Sequence, residues 1–388
     1  MGKRTPPAGT DLTSLAVMPL DNLTGDAELG YVADGLSAGV LNKISDLGDL
    51  QVVSRAEAWS YRDRDESARQ LGSKLGVGGV VDGDLQSDGD LLRATISLTD
   101  TESGFMLWSH AYTSRSTDVF DLQNEIAGDL TTFLSIPLTA TERRRLARDP
   151  TGSTQAYASY VRGQRFLEDR DNPQAAGWAA DNFRQALRLD AEFALAHVGL
   201  SQALWRLYHQ ELDPELLSRA EAEAKLALET DPDLPAARVA LARVYRSTGR
   251  YDASIEALED VLAGHPHPGL AYRELAASYE RIGNLEEAER CLQASVALDD
   301  ADWGSWNSLG IFLSRLGRFS EARNAFQKAS ELAPPGVYRP LENLGTMSLY
   351  DGDFAAAIEL YEQIPGPPPY AVLASNMATA YYFLGDIP

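Results

Sequence analysis

The sequence predicts an α+β amino-terminal domain, a mixed sheet with packed helices, followed by an all-α right-handed superhelix of paired helices. Three observations predict it. The chain has 388 residues, more than a single hydrophobic core organises. Residues 77–113 alternate apolar and polar side chains as strands do, between segments of helical periodicity. Beyond them glycine recurs every 33–35 residues, at Gly249, Gly283, Gly317, Gly352 and Gly385, a period that marks stacked supersecondary units.

A flexible leader is expected at 1–12, because Lys3 and Arg4 are followed by no apolar run and so make no signal peptide. Ser14 to Leu20 reads as a buried strand and Asp21 to Gly25 as a loop. Val32, Leu36, Val40 and Ile44 then recur every four residues, the apolar stripe of a helix. Leu50 to Ser54 is expected as a second strand, and Ser67 to Leu75 as a helix closed by Gly76. Val77 to Gln86 is the next strand, and Ser87 to Asp90 has hairpin-turn chemistry. In the strand that follows, Leu92, Ala94, Ile96 and Leu98 alternate with Arg93, Thr95 and Ser97, giving one buried face and one wet one. Thr101 to Gly104 turns the chain into Phe105 to Thr113. A last helix carries Val119, Leu122, Ile126, Leu130 and Phe133 on one stripe. The order β-α-β-α-β-β-β-α places an α+β domain at 13–135, and a linker is expected at 136–153.

The array is expected over 154–388, as about six hairpins and an unpaired final helix. Four residues before each glycine stand Tyr245, Tyr279, Leu313, Ser348 and Tyr381, and eight before it Leu241, Leu275, Leu309, Leu344 and Met377. Small residues such as Gly310, Ala322 and Ala329 let two helices approach, while Trp306 and Phe326 fill the space to the next pair. Each recurring glycine can adopt the positive φ of a helix C-cap, and Pro232, Pro266 and Pro334 stop second helices. Trp306, Leu309, Gly310, Gly317, Ala322, Phe326, Ala329 and Pro334 together resemble the tetratricopeptide consensus. Upstream, Leu200, Ala220, Ala224, Ala227 and Pro232 predict a repeat whose inter-helix turn is lengthened around Asp213-Pro214-Glu215. Tyr157 to Phe166 and Ala179 to Leu189 predict a divergent first hairpin. Ala371 to Leu384 reads as the first helix of a further pair, so the sequence is expected to be a piece of a longer chain.

Ala16-Val-Met-Pro-Leu20 with Asn22, Tyr31 to Leu36, Leu71-Gly-x-x-Leu-Gly76 and Asp100-x-x-x-Gly104 before Leu107-Trp108 resemble the TolB amino-terminal-like family, related to the CsgG and FlgO domains. The resemblance covers about residues 13–135. It implies the sensory or docking half of a bacterial signalling or envelope protein, since such a domain ahead of tetratricopeptide repeats often follows a Ser/Thr kinase or class III adenylate cyclase. It supplies no catalytic residues. The sequence carries no DFG, HRD or G-x-x-x-x-G-K-[ST] motif.

Charge narrows the partners. A net charge of −23 and a pI near 4.6 set a repulsive field against nucleic acid. Cys291 is the one cysteine, so no intrachain disulfide forms, which suits either a cytoplasmic or an extracytoplasmic location. No apolar run reaches the ~18–20 residues that cross a bilayer.

Several motifs have a plainer reading beside a chemical one. Gly35-x-Ser37-x-Gly39, with Asp82 and His110 downstream, has the spelling of a hydrolase nucleophile, but Ser37 falls inside a helix rather than on a strand-to-helix turn. Gly76-Val-Gly78-Gly79 leads into a strand, so it opens no helix toward a phosphate. His265-Pro-His267 lacks a third metal ligand nearby. Neither a catalytic residue, nor a metal, nor a cofactor is expected. The positive signal is a row of basic and amide residues on first helices: Arg206, Arg243, Arg246, Arg273, Arg281, Asn307 and Arg315. Such a row suits an acidic peptide or a terminal carboxylate held by paired hydrogen bonds; ion pairs with Glu274, Glu280 and Glu342 are the alternative. The expected role is a non-catalytic protein-interaction scaffold, with self-assembly into an oligomer or filament as the second reading.

Overall fold

The structure, a computed structural model, describes all residues except 1–11, 27–28, 46, 48–49, 63–65, 90, 116–118, 170–171, 265–268, 335, 366–370 and 386–388. His265, Pro266 and His267 therefore lie outside the described residues, as does most of the leader. The chain divides into two compact units, residues 1–267 and 268–388.

The first unit opens with the expected buried strand β1 (Ser14–Val17), followed by β2 (Asp21–Asn22), α1 (Gly30–Ile44), β3 (Gln51–Val52), α2 (Arg55–Trp59) and α3 (Ala68–Leu75). Three ten-residue strands follow, β4 (Gly79–Asp88), β5 (Leu91–Asp100) and β6 (Met106–Arg115), then α4 (Val119–Phe133). One mixed sheet runs β3-β1-β4-β5-β6, with β2 pairing β4 off that path. β1 lies parallel to β3 and β4, while β4–β5 and β5–β6 are antiparallel. Leu92, Ala94, Ile96 and Leu98 are buried, as their alternation required.

Local chemistry sets the ends of these elements. Ser67 and Gln70 form a capping box ahead of α3, and Gly76 closes it at φ +66°. Gly79 packs so tightly on β1 that a Cβ there would lie 2.5 Å from the Leu15 side chain, and the Gly78 amide donates to Ser14 Oγ at 2.9 Å. The glycine run is thus close packing at a strand start. The predicted strand at 50–54 shrinks to Gln51–Val52, because Ser54 already caps α2 by accepting from the Glu57 amide.

Helices α5 (Ala140–Leu146), α6 (Thr154–Glu168), α7 (Ala175–Leu189), α8 (Ala194–Glu211), α9 (Pro214–Thr230), α10 (Pro235–Ser247) and α11 (Tyr251–Gly264) complete the unit. The lengthened turn expected at 213–215 is not there. Instead α8 runs on to Glu211, Leu212 takes the left-handed C-cap at φ +57°, and Asp213 caps α9 with Pro214 in its first turn. The additional residues are absorbed as helix because nothing before Leu212 breaks it, and Pro214 suits a first turn. A single core joins Leu15, Leu36 and Ile126 of the sheet domain to Tyr160, Phe183 and Leu204 of the helices.

The second unit holds α12 (Gly269–Arg281), α13 (Leu285–Leu298), α14 (Trp303–Arg315), α15 (Phe319–Leu332), α16 (Arg339–Tyr350), α17 (Phe354–Tyr361) and α18 (Ala371–Leu384). Helices pair in sequence order, and Gly283, Gly317 and Gly352 sit between the members of a pair at φ +74° to +80°. Pro334 follows the last turn of α15, as expected. Phe326 departs from expectation: its ring lies against Gly310 in its own pair, where a Cβ would come within 2.6 Å of it.

Candidate functional site

The first helices of the pairs carry the expected basic residues, and each unit arranges them differently. In the first unit α8 and α10 are neighbours, so residues counted back from the left-handed residue after each, Leu212 and Gly249, fall into equivalent places. Arg206 matches Arg243 and His209 matches Arg246, with Leu212 standing where later repeats have glycine.

These residues form an aromatic and cationic cluster. The Arg243 guanidinium lies over the Trp205 ring, 5.8 Å from its centroid, and Trp205 Nε1 donates to Ser247 Oγ at 2.9 Å. His209 meets Trp205 edge-on at 4.4 Å between centroids and Tyr208 at 5.2 Å. Burial and the positive charge of Arg246 lower the pKa of His209, so it is neutral at pH 7 and adds no charge of its own. Arg206 is spent differently: its guanidinium donates to the carbonyls of Leu167 at 2.7 Å and Asp169 at 3.4 Å, capping the end of α6. Arg243 and Arg246 are half-buried and carry further interactions of their own.

In the second unit the basic residues are drawn into ion pairs. Arg273 binds Asp302 at 2.8 Å, which is also the N-cap of α14. Arg315 reaches both oxygens of Glu280, at 2.9 and 3.0 Å. Arg281, at the end of α12, is exposed and has interactions as well. Asn307 is buried and accepts from Asn343 at 2.9 Å, linking α14 to α16.

Trp205, Tyr208 and His209 were not singled out in the sequence. The signal that finds them is the repeat phase of Tyr208, four residues before a left-handed residue like Tyr245 and Tyr279; it is hidden because Leu212 replaces the glycine.

The hydrolase-like motif resolves as packing. Ser37 is buried inside α1, where its Oγ donates to the Ala33 carbonyl and accepts from the Leu20 amide, both at 2.9 Å. Asp82 is hydrogen-bonded by Ser97. Cys291 is buried. Among the described residues no cluster of three metal-ligating side chains occurs, and no helix is long and apolar enough to cross a membrane.

Comparison with known proteins agrees with the helical half. The tetratricopeptide repeat family matches residues 239–306 and 307–372. A protein of Rhizobium meliloti (strain 1021), named "Putative adenylate cyclase 3", is 29% identical over 240 residues, 61% of this chain and 41% of that protein. The chain thus spans less than half the length of that relative. Human IFIT1, solved as a dimer with m7Gppp-AAAA, superposes over 68% of this chain and 59% of its own, at 17% identity and a TM-score of 0.48. A thermophilic tetratricopeptide protein of Thermus thermophilus covers 47% of this chain and 99% of its own at 21% identity and a TM-score of 0.39. The carboxy-terminal part of the chain is built of tetratricopeptide repeats, preceded by a mixed sheet with packed helices.

Proposed function

We propose that this chain is a non-catalytic docking scaffold that captures an acidic peptide segment on the exposed faces of its first helices. The observation that carries the reading is the α8–α10 cluster, where Arg243 stacks over Trp205 and Arg246 flanks a neutral His209. An aromatic surface held beside two guanidinium groups suits carboxylate side chains with some apolar body, in a protein whose −23 charge repels them elsewhere. Within the second unit, taken by itself, Arg273, Arg281 and Arg315 offer the same chemistry, with an incoming carboxylate exchanging for Asp302 or Glu280, while Asn307 is buried against Asn343 and takes no part.

The test is titration of a fluorescent Asp- and Glu-rich peptide by anisotropy. Replacing Arg243 and Arg246 together by Ala should weaken binding about tenfold or more, as the loss of charge-assisted hydrogen bonds does. Unchanged affinity rejects the site.

The wider role follows from resemblance. Residues 13–135 are similar to TolB amino-terminal-like domains, and the Rhizobium meliloti relative carries a cyclase name, which supports a place as the sensory or docking half of a signalling protein. Self-assembly is favoured by one observation: Tyr350, Tyr382 and Phe383 are 70%, 65% and 60% exposed at the carboxy-terminal helices. Light scattering across a concentration series decides it, since a monomer at every concentration rules it out.

A further inference from the structure

We propose that the outer edge of β6 is a docking surface for a second copy of this chain, with β6 pairing antiparallel to β6 about a two-fold axis at Ala111. The contact uses neither the α8–α10 cluster nor the carboxy-terminal aromatics, and it does not depend on peptide capture.

The sheet order ends at β6, and among the described residues β5 is the strand that pairs with it. In an antiparallel pair alternate residues turn their N–H and C=O groups away from the partner, so the far side of β6 carries a row of them. Such an edge templates another strand unless Pro, Lys or an inward-pointing charge blunts it. From Phe105 to Ser114 the sequence has no Pro and no Asp, Glu, Lys or Arg, in a chain of net charge −23. Two copies of this strand therefore set no like charges opposite one another, which a partner strand of either sign would not need.

The strand is also held ready. Trp108 meets Phe133 of α4 at 6.3 Å between ring centroids, and the Tyr112 hydroxyl donates to Asp129 at 3.0 Å, which fixes one face. Ser109, His110, Ala111 and Thr113 are exposed. A strand fixed before docking has little order left to lose on pairing.

Register follows from the bulge. Trp108–Arg115 pairs one for one with Leu91–Leu98, and the irregularity at Leu98/Thr99 interrupts β6 only before Trp108. A two-fold at Ala111 uses the regular stretch from Trp108 to Ser114. It sets the two small Ala111 side chains opposite each other, Ser109 opposite Thr113 of the second copy, and His110 opposite Tyr112 of the second copy. Hydroxyl pairs and aromatic pairs are favourable across strands. At the other end of the sheet β3 has two residues, too few to template a strand, so pairing closes at two copies.

The full chain is followed by sedimentation velocity from about 1 to 300 µM, where a monomer–dimer equilibrium with Kd of about 100 µM or tighter is expected. A111K and A111E each set like charges opposite one another at the axis, and each should weaken the dimer about tenfold or more. An equimolar mixture of the two variants should restore it, because Lys then faces Glu, and that recovery shows both variants to be folded. On mild oxidation A111C should form a disulfide between copies, since opposed Cα atoms lie about 4.5–5.5 Å apart. The wild type, whose one cysteine Cys291 is buried, should stay uncrosslinked. Y350S with F383S, which alters the carboxy-terminal aromatics, should leave the dimer unchanged. The proposal is overturned if the wild type is monomeric to about 300 µM, if A111K dimerises as the wild type does, if the mixture stays monomeric, or if Y350S with F383S abolishes the dimer.

Discussion

The hydroxyl of Tyr157 donates to the carbonyl of Gly35 at 2.8 Å across 122 residues of chain, tying α6 to α1. Gln123 Nε2 donates to the same carbonyl at 3.0 Å and lies 3.2 Å from the Tyr157 hydroxyl, so three helices meet at one buried polar point. Burial pushes the Tyr157 phenol pKa up, which keeps it a donor at any physiological pH.

Removing that hydroxyl by Tyr157→Phe leaves Gly35 satisfied by Gln123, so the expected cost is modest, about 1 kcal/mol. Its distribution is the informative part. Because β4, β5 and helices α6 to α8 share one core, amide exchange should quicken together in both regions. Faster exchange in α6 alone would show that sheet and helices open separately.

Phe183 of α7 is held between two glycines. A Cβ at Gly163 would lie 2.7 Å from its ring and one at Gly199 2.5 Å away, so neither helix can carry a larger residue without moving. Gly199→Ala should destabilise the chain by about 1–3 kcal/mol, as overpacking does. Shrinking the ring with Phe183→Leu should make the second change cheaper, so the double variant should be more stable than the sum of the two single losses implies. Additive losses in urea unfolding would place the cost in backbone strain instead.

What the sequence revealed and what it hid follow from the range of the interactions involved. The helix pairs were legible because Gly249, Gly283, Gly317, Gly352 and Gly385 each occupy a left-handed position that other residues seldom take, and the repeat displays that constraint five times. Leu212 meets the same geometry once, without the signal, and the turn beside it was misplaced. Helix α2 was missed because five residues show no period, and only the Ser54 cap marks it. The arginine row was legible as residue types, but not their division between uses. Whether Arg206 reaches the end of α6 or Arg315 reaches Glu280 is decided by how successive helices pack, which no local pattern encodes.

His197 supplies a pH test of the repeat packing. Its Nδ1 lies 2.6 Å from Glu223 and its Nε2 3.1 Å from the Ala191 carbonyl, so both nitrogens face acceptors and the imidazolium is favoured. Burial lowers its pKa, but the Glu223 and Ala191 hydrogen bonds outweigh that and the net shift is upward from 6.5. A raised folded pKa adds stability that is fully present below the unfolded value and is lost as pH rises through the folded one. Urea midpoints should therefore fall above pH 6.5 in the wild type, and His197→Gln should flatten that part of the profile. The Glu221 contribution is separable. Hydrogen bonding by Arg250 and Lys225 lowers its pKa to about 2, so its share is fully present above 4.5 and is lost progressively as pH falls from 4.5 through about 2.

His209 gives the docking face its own pH signature. Burial first, and Arg246 second, hold its pKa below 6.5, so it is neutral at pH 7 and gains charge only as pH falls through the lowered value. The new charge appears beside Arg246, where the proposed peptide presents carboxylates that stay ionised down to about pH 4. Affinity for an acidic peptide should therefore rise as pH drops below 6.5, and salt should blunt the rise if the contact is solvent-exposed. His209→Gln should match the wild type at about pH 7.5 and lose the acid-side gain, since the ordinary imidazole is already mostly neutral there. A peptide whose affinity rises equally in both proteins draws its pH response from another group, and would place the bound segment away from α8 and α10.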